Sequence, residues 1–530
     1  MLFPSLEFFL FFVILFVLYW YVFTRSRDRK ILLLVANFVF YGVYSFGFAV
    51  LVFVLCLLNW SFALVLRKMK NYKPRKLIFI GATAFNILYL LYFKEAYHLL
   101  DWLKSINVGI LSEDTYLRLL SITAITPLGV SYYVFKSCSY LFDVYLGKMQ
   151  ARRSPVDVLV YVSFFPQIFS GPIVNASVFF NDFENALNRD KDRYAFLEFD
   201  RASLFIMLGL VKKLLVANTL ILLVTKPVFA NPANYHSLEL IFAAIAYSVV
   251  IYADFSGYSD MAIGIALLLG FHTPANFNRP YTAKSITEFW RRWHISFSTW
   301  LRDYVYFSFG GSRFGRIRTV MALIGTMLIG GLWHGFKYTF LIWGALHGIA
   351  LAVERLLFAK KTAKPNMFEP LRNEENHPSE IFVEAEKNKP CGIAENNAES
   401  VPPEPDETSS AVSPDTNKQF GKKIGSQVLC FCFVTISWIF FRAESLSEVT
   451  LFFRSLKNIF TPMSVFNPFC LLLVVFAIAL QFVPKAFTEK AFAVYGKFPL
   501  LLKALFLAAA FVLLGLFVSS GIPEFIYFKF

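Results

Sequence analysis

Charge is scarce in this chain of 530 residues: Asp, Glu, Lys and Arg together make up 16% of it, while 57% is hydrophobic. A water-soluble protein of this length has no interior large enough for so much apolar material, because single cores stop growing beyond roughly 250–300 residues. An ordinary soluble enzyme is excluded. Cysteine is scarce too, with six residues, Cys56, Cys138, Cys391, Cys430, Cys432 and Cys470, most of them inside apolar runs. None forms a CxxC pair and no histidine stands at zinc-ligand spacing, so neither a disulfide framework nor a structural metal is expected. Glycine (26) and proline (23) are at ordinary levels, which excludes a collagen-like or disordered chain. What is present in excess is phenylalanine, 63 residues, and that abundance points to lipid.

The charge that does occur is unbalanced, with 51 Lys and Arg against 36 Asp and Glu giving +15. In a soluble protein this would suggest nucleic acid. In a membrane chain it reads as basic loops facing the anionic cytoplasmic leaflet, and no nucleic-acid partner is expected.

A membrane helix needs about 20 mainly apolar residues, because the hydrocarbon layer is ~30 Å thick and each residue rises ~1.5 Å. The first such run, Leu2 to Phe23, is followed by Arg25, Arg27, Arg29 and Lys30. A cleavable signal peptide would carry its charge ahead of the apolar run. The run therefore reads as a retained helix whose C-terminal end is cytoplasmic and whose N-terminus is outside. Spans at Ile31–Tyr44 and Phe46–Leu66 lead to a second basic loop containing Arg67, Lys68, Lys70, Lys73, Arg75 and Lys76. Three crossings return the chain to the cytoplasm there, so the two loops agree on orientation. Further apolar stretches include Leu119–Phe142, Leu204–Leu223, Leu240–Tyr252, Met261–Phe271, Thr319–Trp333, Tyr338–Phe358 and Leu500–Ser519. Several are too short to span upright. The fold expected is an all-α polytopic membrane protein of the bacterial cytoplasmic (inner) membrane, with about eleven full spans plus re-entrant or interfacial helices whose backbone is covered by protein or water.

One segment departs from this pattern. Residues 359–425 carry 9 basic and 12 acidic residues, a net −3 that leaves +18 on the rest of the chain. Rich in Pro, Glu, Asn and Ser, it cannot bury enough surface to offset chain entropy. It reads as a disordered acidic cytoplasmic insert, a spacer more than a regulatory element, between a membrane core at 1–358 and C-terminal membrane helices at 426–530.

Ionisable residues at membrane depth are costly and so are functional candidates. The first cluster, Asp254 to Asp260, lies between two apolar runs; Gly257 would let the backbone bend there, and Asp254 and Ser256 could line a wet cavity or simply order a polar hinge. In the second, Ser285 and Glu288 fit a capping box. The aromatics Trp290, Trp293, Phe297, Trp300 and Tyr304 then recur at three- and four-residue steps, beside Arg291, Arg292 and His294. That pattern suits an interfacial helix which anchors by its aromatics and attracts phosphate, with anchoring the stronger reading. The third holds His334 at the end of a Gly-rich apolar segment, where an imidazole needs a polar partner or a water path and glycines allow a substrate to approach closely. His347, thirteen residues on, reads as a helix-packing histidine.

The chain resembles the membrane-bound O-acyltransferase superfamily, in particular its bacterial branch of alginate O-acetylation membrane proteins. The resemblance rests on PLGVSYYVFKSCSYLFDVY (Pro127–Tyr145), FFPQIFSGPIV (Phe164–Val174), DFSGYSDMAIGIALLLGF (Asp254–Phe271), NFNRPY (Asn276–Tyr281), EFWRRWHISFSTWLRDYVY (Glu288–Tyr306), GLWHG (Gly331–Gly335) and WIFFRAES (Trp438–Ser445). Lys136 and the insert depart from the family pattern. The resemblance implies a ring of membrane helices around a central tunnel, with His334 as the catalytic histidine and His294 as a second polar residue of the same tunnel. It implies no permanently bound cofactor, and acetyl-CoA as a cytoplasmic donor substrate whose phosphates Arg279, Arg291 and Arg292 could hold, while Asn278 or Trp333 could orient the tunnel. The acceptor it implies is a polysaccharide hydroxyl outside the cytoplasm, reached directly or through a periplasmic or extracellular O-acetyltransferase partner. D-alanyl transfer to teichoic acid, as in a related branch, and a polytopic transporter or export channel remain as alternatives. A transporter predicts similar halves with interrupted helices, and no internal repeat is visible.

Overall fold

In the computed structural model the described residues are 3–105, 114–116, 118, 126–189, 191–358 and 414–515. Among them every regular element is a helix, from Leu6–Val17 to Leu500–Gly515. Seven helices are long and apolar enough to cross a membrane: Phe46–Lys68, Tyr72–Asp101, Glu198–Ala230, Ser237–Leu268, Arg316–His334, Tyr338–Leu357 and Ile424–Arg442. An eighth crossing results if Pro468–Phe482 and Ala486–Gly496, bent by 97°, count together. The count is of the described residues and leaves the expected eleven open; Leu6–Val22 is apolar but short. The expected spans Leu119–Phe142 and Leu500–Ser519 extend outside the described residues at 119–125 and 516–519, and so does the insert at 359–413. Its remaining residues already belong to the helix Pro414–Arg442.

Large apolar side chains cover the outside of the bundle, Phe46 and Ile317 being 79% exposed, as a surface solvated by lipid requires. The inside is equally aromatic. Phe8, Phe40, Phe165 and Phe169 pack ring on ring, which accounts for the phenylalanine excess on both sides of the wall.

Two helices are central. Val130–Tyr145 is buried along almost its whole length and packs against Phe46–Lys68 and Tyr72–Ser105. Ser237–Leu268 runs unbroken for 32 residues, so the runs Leu240–Tyr252 and Met261–Phe271 belong to one helix and the hinge expected at Gly257 does not form. Gly257 instead admits a neighbouring helix: a Cβ there would stand 2.8 Å from the carbonyl oxygen of Gly209. Helices that touch backbone to backbone need such small residues.

The basic loops gather at one end of the bundle. Arg75 donates to the Tyr145 carbonyl (2.9 Å) and Arg67 to that of Ala151 (3.4 Å), while Lys30 and Arg152 both pair with Asp157 (2.9 and 2.8 Å). Arg29 is not a loop charge at all; only 4% exposed, it donates to the carbonyls of Tyr19, Phe23, Leu187 and Arg189. The start of Val130–Tyr145, a helix length away, defines the opposite end.

Candidate active site

The aromatic segment after Ser285 is not the single amphipathic helix that its periodicity suggests. Ser285 does cap it, accepting from the Glu288 N–H at 3.1 Å, with Glu288 reaching back to the Lys284 N–H at 2.8 Å. Glu354, from the helix Tyr338–Phe358, also takes the Ile286 and Thr287 N–H groups at 2.6 and 2.9 Å, a negative charge where the helix dipole favours one. The helix stops at Arg292, and Ile295–Trp300 begins a new one. Between them His294 adopts φ 43°, a left-handed conformation that is costly for a residue with a Cβ. Trp290, Trp293, Phe297, Trp300 and Tyr304 are all buried. They pack the core and do not anchor an interfacial helix.

The loop 276–278 stabilises this break by taking up the hydrogen bonds it releases. Asn278 N–H donates to the Arg292 carbonyl, and Ile295 N–H to the Asn276 carbonyl, each at 2.9 Å. The Asn276 side-chain oxygen accepts from Ser296 N–H (3.2 Å) and Ser296 Oγ (2.9 Å) and meets His294 Nδ1 at 3.2 Å. Its amide nitrogen donates to Ser259 Oγ at 3.2 Å, which fixes the amide with its oxygen toward the histidine. Nδ1 is therefore the protonated nitrogen and Nε2 keeps its lone pair. Nε2 is buried and has no hydrogen-bond partner among the described residues. Sequence reasoning singled out Asn278, but Asn276 is the residue that orients His294.

His334 is the last residue of the helix Arg316–His334. Its neighbour Tyr338–Phe358 lies so close that a Cβ on Gly331 would stand 2.4 Å from the Phe340 carbonyl oxygen. This glycine serves helix contact, not the approach of a substrate. The His334 ring is buried among Trp333, Phe441, Trp343 and Phe340, with centroids 4.4, 4.7, 5.4 and 5.8 Å away. Trp333 also neighbours His294, at 6.2 Å, so one indole lies against both imidazoles.

A cavity of about 90 Å³ opens beside His334 and Trp333, its other walls including Tyr44, Lys94, Ser131 and Tyr132. Tyr44 follows the helix Ser26–Gly42, and Ser131 and Tyr132 begin Val130–Tyr145. The cavity thus lies at the end of the bundle remote from the basic loops.

The remaining candidates are dispersed. Asp254 is buried and ion-paired with Lys213, and Asp260 pairs with Lys212; neither aspartate is a wall of the cavity. Ser256 Oγ is buried in the same helix without a partner among the described residues. Arg292 is engaged by Glu288 Oε1 at 2.8 Å, whereas Arg279 is half-buried at a left-handed turn of φ 49°. His347 is held on both nitrogens, by Trp290 Nε1 (3.2 Å) and Ser437 Oγ (3.0 Å), as a packing histidine is. Lys136, the departure from the family pattern, is buried against the Tyr161 ring at 4.6 Å and donates to Gln167 Oε1 at 2.8 Å. Its charge is solvated by an aromatic face and an amide.

The described residues thus form a helical bundle with apolar outer faces, in which a buried, aromatic-walled histidine borders a small cavity. Residues 129–374 match the model of the membrane-bound O-acyltransferase family, MBOAT. Over 356 residues the chain is 38% identical to the Pseudomonas putida protein named "Probable alginate O-acetylase AlgI", covering 66% of this chain and 70% of that one. It is 33% identical over 351 residues to the peptidoglycan O-acetyltransferase of Helicobacter pylori (62% and 64% covered) and 32% identical over 236 residues to the teichoic acid D-alanyltransferase of Bacillus subtilis (43% and 58%). The chain belongs to the MBOAT family, and it is a multi-pass membrane O-acyltransferase.

Proposed function

We propose that this enzyme moves an acetyl group from acetyl-CoA on the cytoplasmic side to a hydroxyl of a polysaccharide outside, directly or through an extracytoplasmic O-acetyltransferase partner, with His334 as general base. The observation that carries this reading is the position of His334: buried, on the wall of a cavity at the end of the bundle away from the basic loops. If those loops are cytoplasmic, the cavity faces the acceptor, the N-terminus is outside, and the bacterial inner membrane is where the two substrates meet. The relatives named for acetylation of alginate and of peptidoglycan support a polysaccharide acceptor.

In this reading His334 takes the proton of the acceptor hydroxyl as its oxygen attacks the thioester carbonyl carbon. The carbon–sulfur bond then breaks, and the departing thiolate takes the proton back from the imidazolium. The thioester supplies a good leaving group, so a stronger nucleophile is the main need, and a neutral imidazole that takes the hydroxyl proton supplies it. His294, which is not a wall of the cavity but shares the Trp333 indole with His334, offers its Nε2 lone pair to a substrate N–H or O–H. Arg279, Arg291 and Arg292 are the residues assigned to the phosphates of the donor, Arg292 while also paired with Glu288.

His334→Ala is expected to abolish O-acetylation of surface polysaccharide in a deletion strain while the protein accumulates normally in the membrane. Retained acetylation would overturn the role. Isolating the glycans and assaying acetyl against D-alanyl esters separates this reading from D-alanyl transfer.

A further inference from the structure

The helix Tyr72–Ser105 lies outside the residues that match the family, yet it reaches the His334 turn. Lys94 on that helix donates to the Trp333 carbonyl, the peptide oxygen immediately before His334. Its ammonium also lies 5.5 Å from the Trp333 ring centroid and forms part of the cavity wall. The next residue, Glu95, faces the Phe336 N–H, and its Oε1 would be 3.9 Å from a Cβ placed on Gly335. Adjacent residues of opposite charge therefore grip the turn 333–336 from one helix, one by a carbonyl and the other near an N–H.

This location has a physical logic. The carbonyls at a helix C-terminus lack intrahelical donors and carry the negative end of the dipole, so a cation there makes a charge-assisted hydrogen bond. Since His334 is the final residue of its helix, nothing further along that helix holds its backbone. A hydrogen bond at the preceding carbonyl fixes the peptide from which the imidazole projects. The bond also ties Trp333, the ring against both histidines, to a helix 239 residues away in sequence.

We propose that Lys94 is a positioning residue for acyl transfer: by holding the Trp333 carbonyl it sets the His334 imidazole against the cavity where the acceptor hydroxyl binds. This rests on the assignment of His334 made above. The test complements a deletion strain with the full-length protein carrying Lys94→Met, Lys94→Arg or His334→Ala. O-acetyl esters on isolated surface polysaccharide are measured per unit of membrane-inserted enzyme, and melting temperature in detergent serves as the control for folding. Lys94→Met keeps the unbranched stem, one atom shorter, but cannot donate, and it is expected to lose acetylation about tenfold or more, as small displacements of catalytic groups do. Lys94→Arg, which still donates, is expected to recover most of it at an equal melting temperature. If Lys94→Met matches wild type while His334→Ala is inactive, the positioning proposal fails and the His334 reading stands. Equal losses in Met and Arg variants at normal melting temperature also overturn it, because the donor would then be irrelevant. Acetylation retained in His334→Ala overturns both. Should Lys94→Met fail to accumulate, Lys94→Leu, which likewise cannot donate, replaces it, and a loss rescued by Arg is again the supporting result.

Discussion

Asn276 makes more of the geometry around His294 than its size suggests. Its one side-chain oxygen meets His294 Nδ1 and both donors of Ser296, while its backbone oxygen takes the Ile295 N–H. Replacing it with alanine leaves a buried N–H and a buried hydroxyl without their acceptor, at about 1–3 kcal/mol. The left-handed conformation of His294 also loses its side-chain support. Asn276→Ala is therefore expected to lower the melting temperature in detergent by several degrees and to cut acetylation per folded molecule by about tenfold, the second effect arising because His294 is freed to change tautomer. Asn276→Asp keeps the acceptor and loses the donation to Ser259, so it is expected to retain more activity than alanine. Quantifying ester content and melting temperature on the same preparations checks both. Equal activity in Ala and wild type would show that the orientation of His294 does not matter.

At the scale of helices, close contacts and not composition decide the architecture. Where the helices Arg316–His334 and Tyr338–Phe358 meet, Gly331 lies against Phe340 and Gly344 with no room for a methyl group. Gly331→Ala is expected to force the two helices apart, lowering melting temperature and activity together, because the displacement is one turn from His334. Gly81→Ala, on a lipid-facing helix with nothing within 4 Å, is expected to leave both unchanged; melting curves of the two variants check the contrast. Much of this was legible in the sequence. Spans show as apolar runs, the Ser285 cap as a local pattern, and His294 and His334 as polar exceptions in family motifs. The break at His294 was not legible, because it depends on a loop whose Asn276 comes alongside only in the folded chain, and periodicity alone predicts a continuous helix. Lys212 and Lys213 were missed although two lysines in an apolar run demand partners; Asp254 and Asp260 supply them from the next long helix. Lys94 gives no local signal, since what it serves is a carbonyl in another helix.

Over the whole molecule, sidedness governs the chemistry. The contacts of Arg67 and Arg75 bring the second basic loop to the same end as the loop after Tyr145, the Lys30 and Arg152 pairs with Asp157 bring the first there too, and the His334 cavity opens at the other end, where Thr126 and Tyr44 line it. The excess of +18 outside the acidic segment is then oriented, not merely large: with the basic loops retained on the cytoplasmic side by the anionic leaflet, the proposed base His334 would lie on the side of an external hydroxyl. Single-cysteine variants at Lys70 and Thr126, both exposed, made in a background with the natural cysteines replaced, test this directly. A membrane-impermeant maleimide added to intact spheroplasts is expected to label Thr126→Cys at once and Lys70→Cys only after lysis. The reverse pattern would put the cavity on the donor side and would require the acetyl group to leave the enzyme where it entered; labelling of both from outside would break the three-crossing path from Ser26 to Thr126 on which the external N-terminus rests.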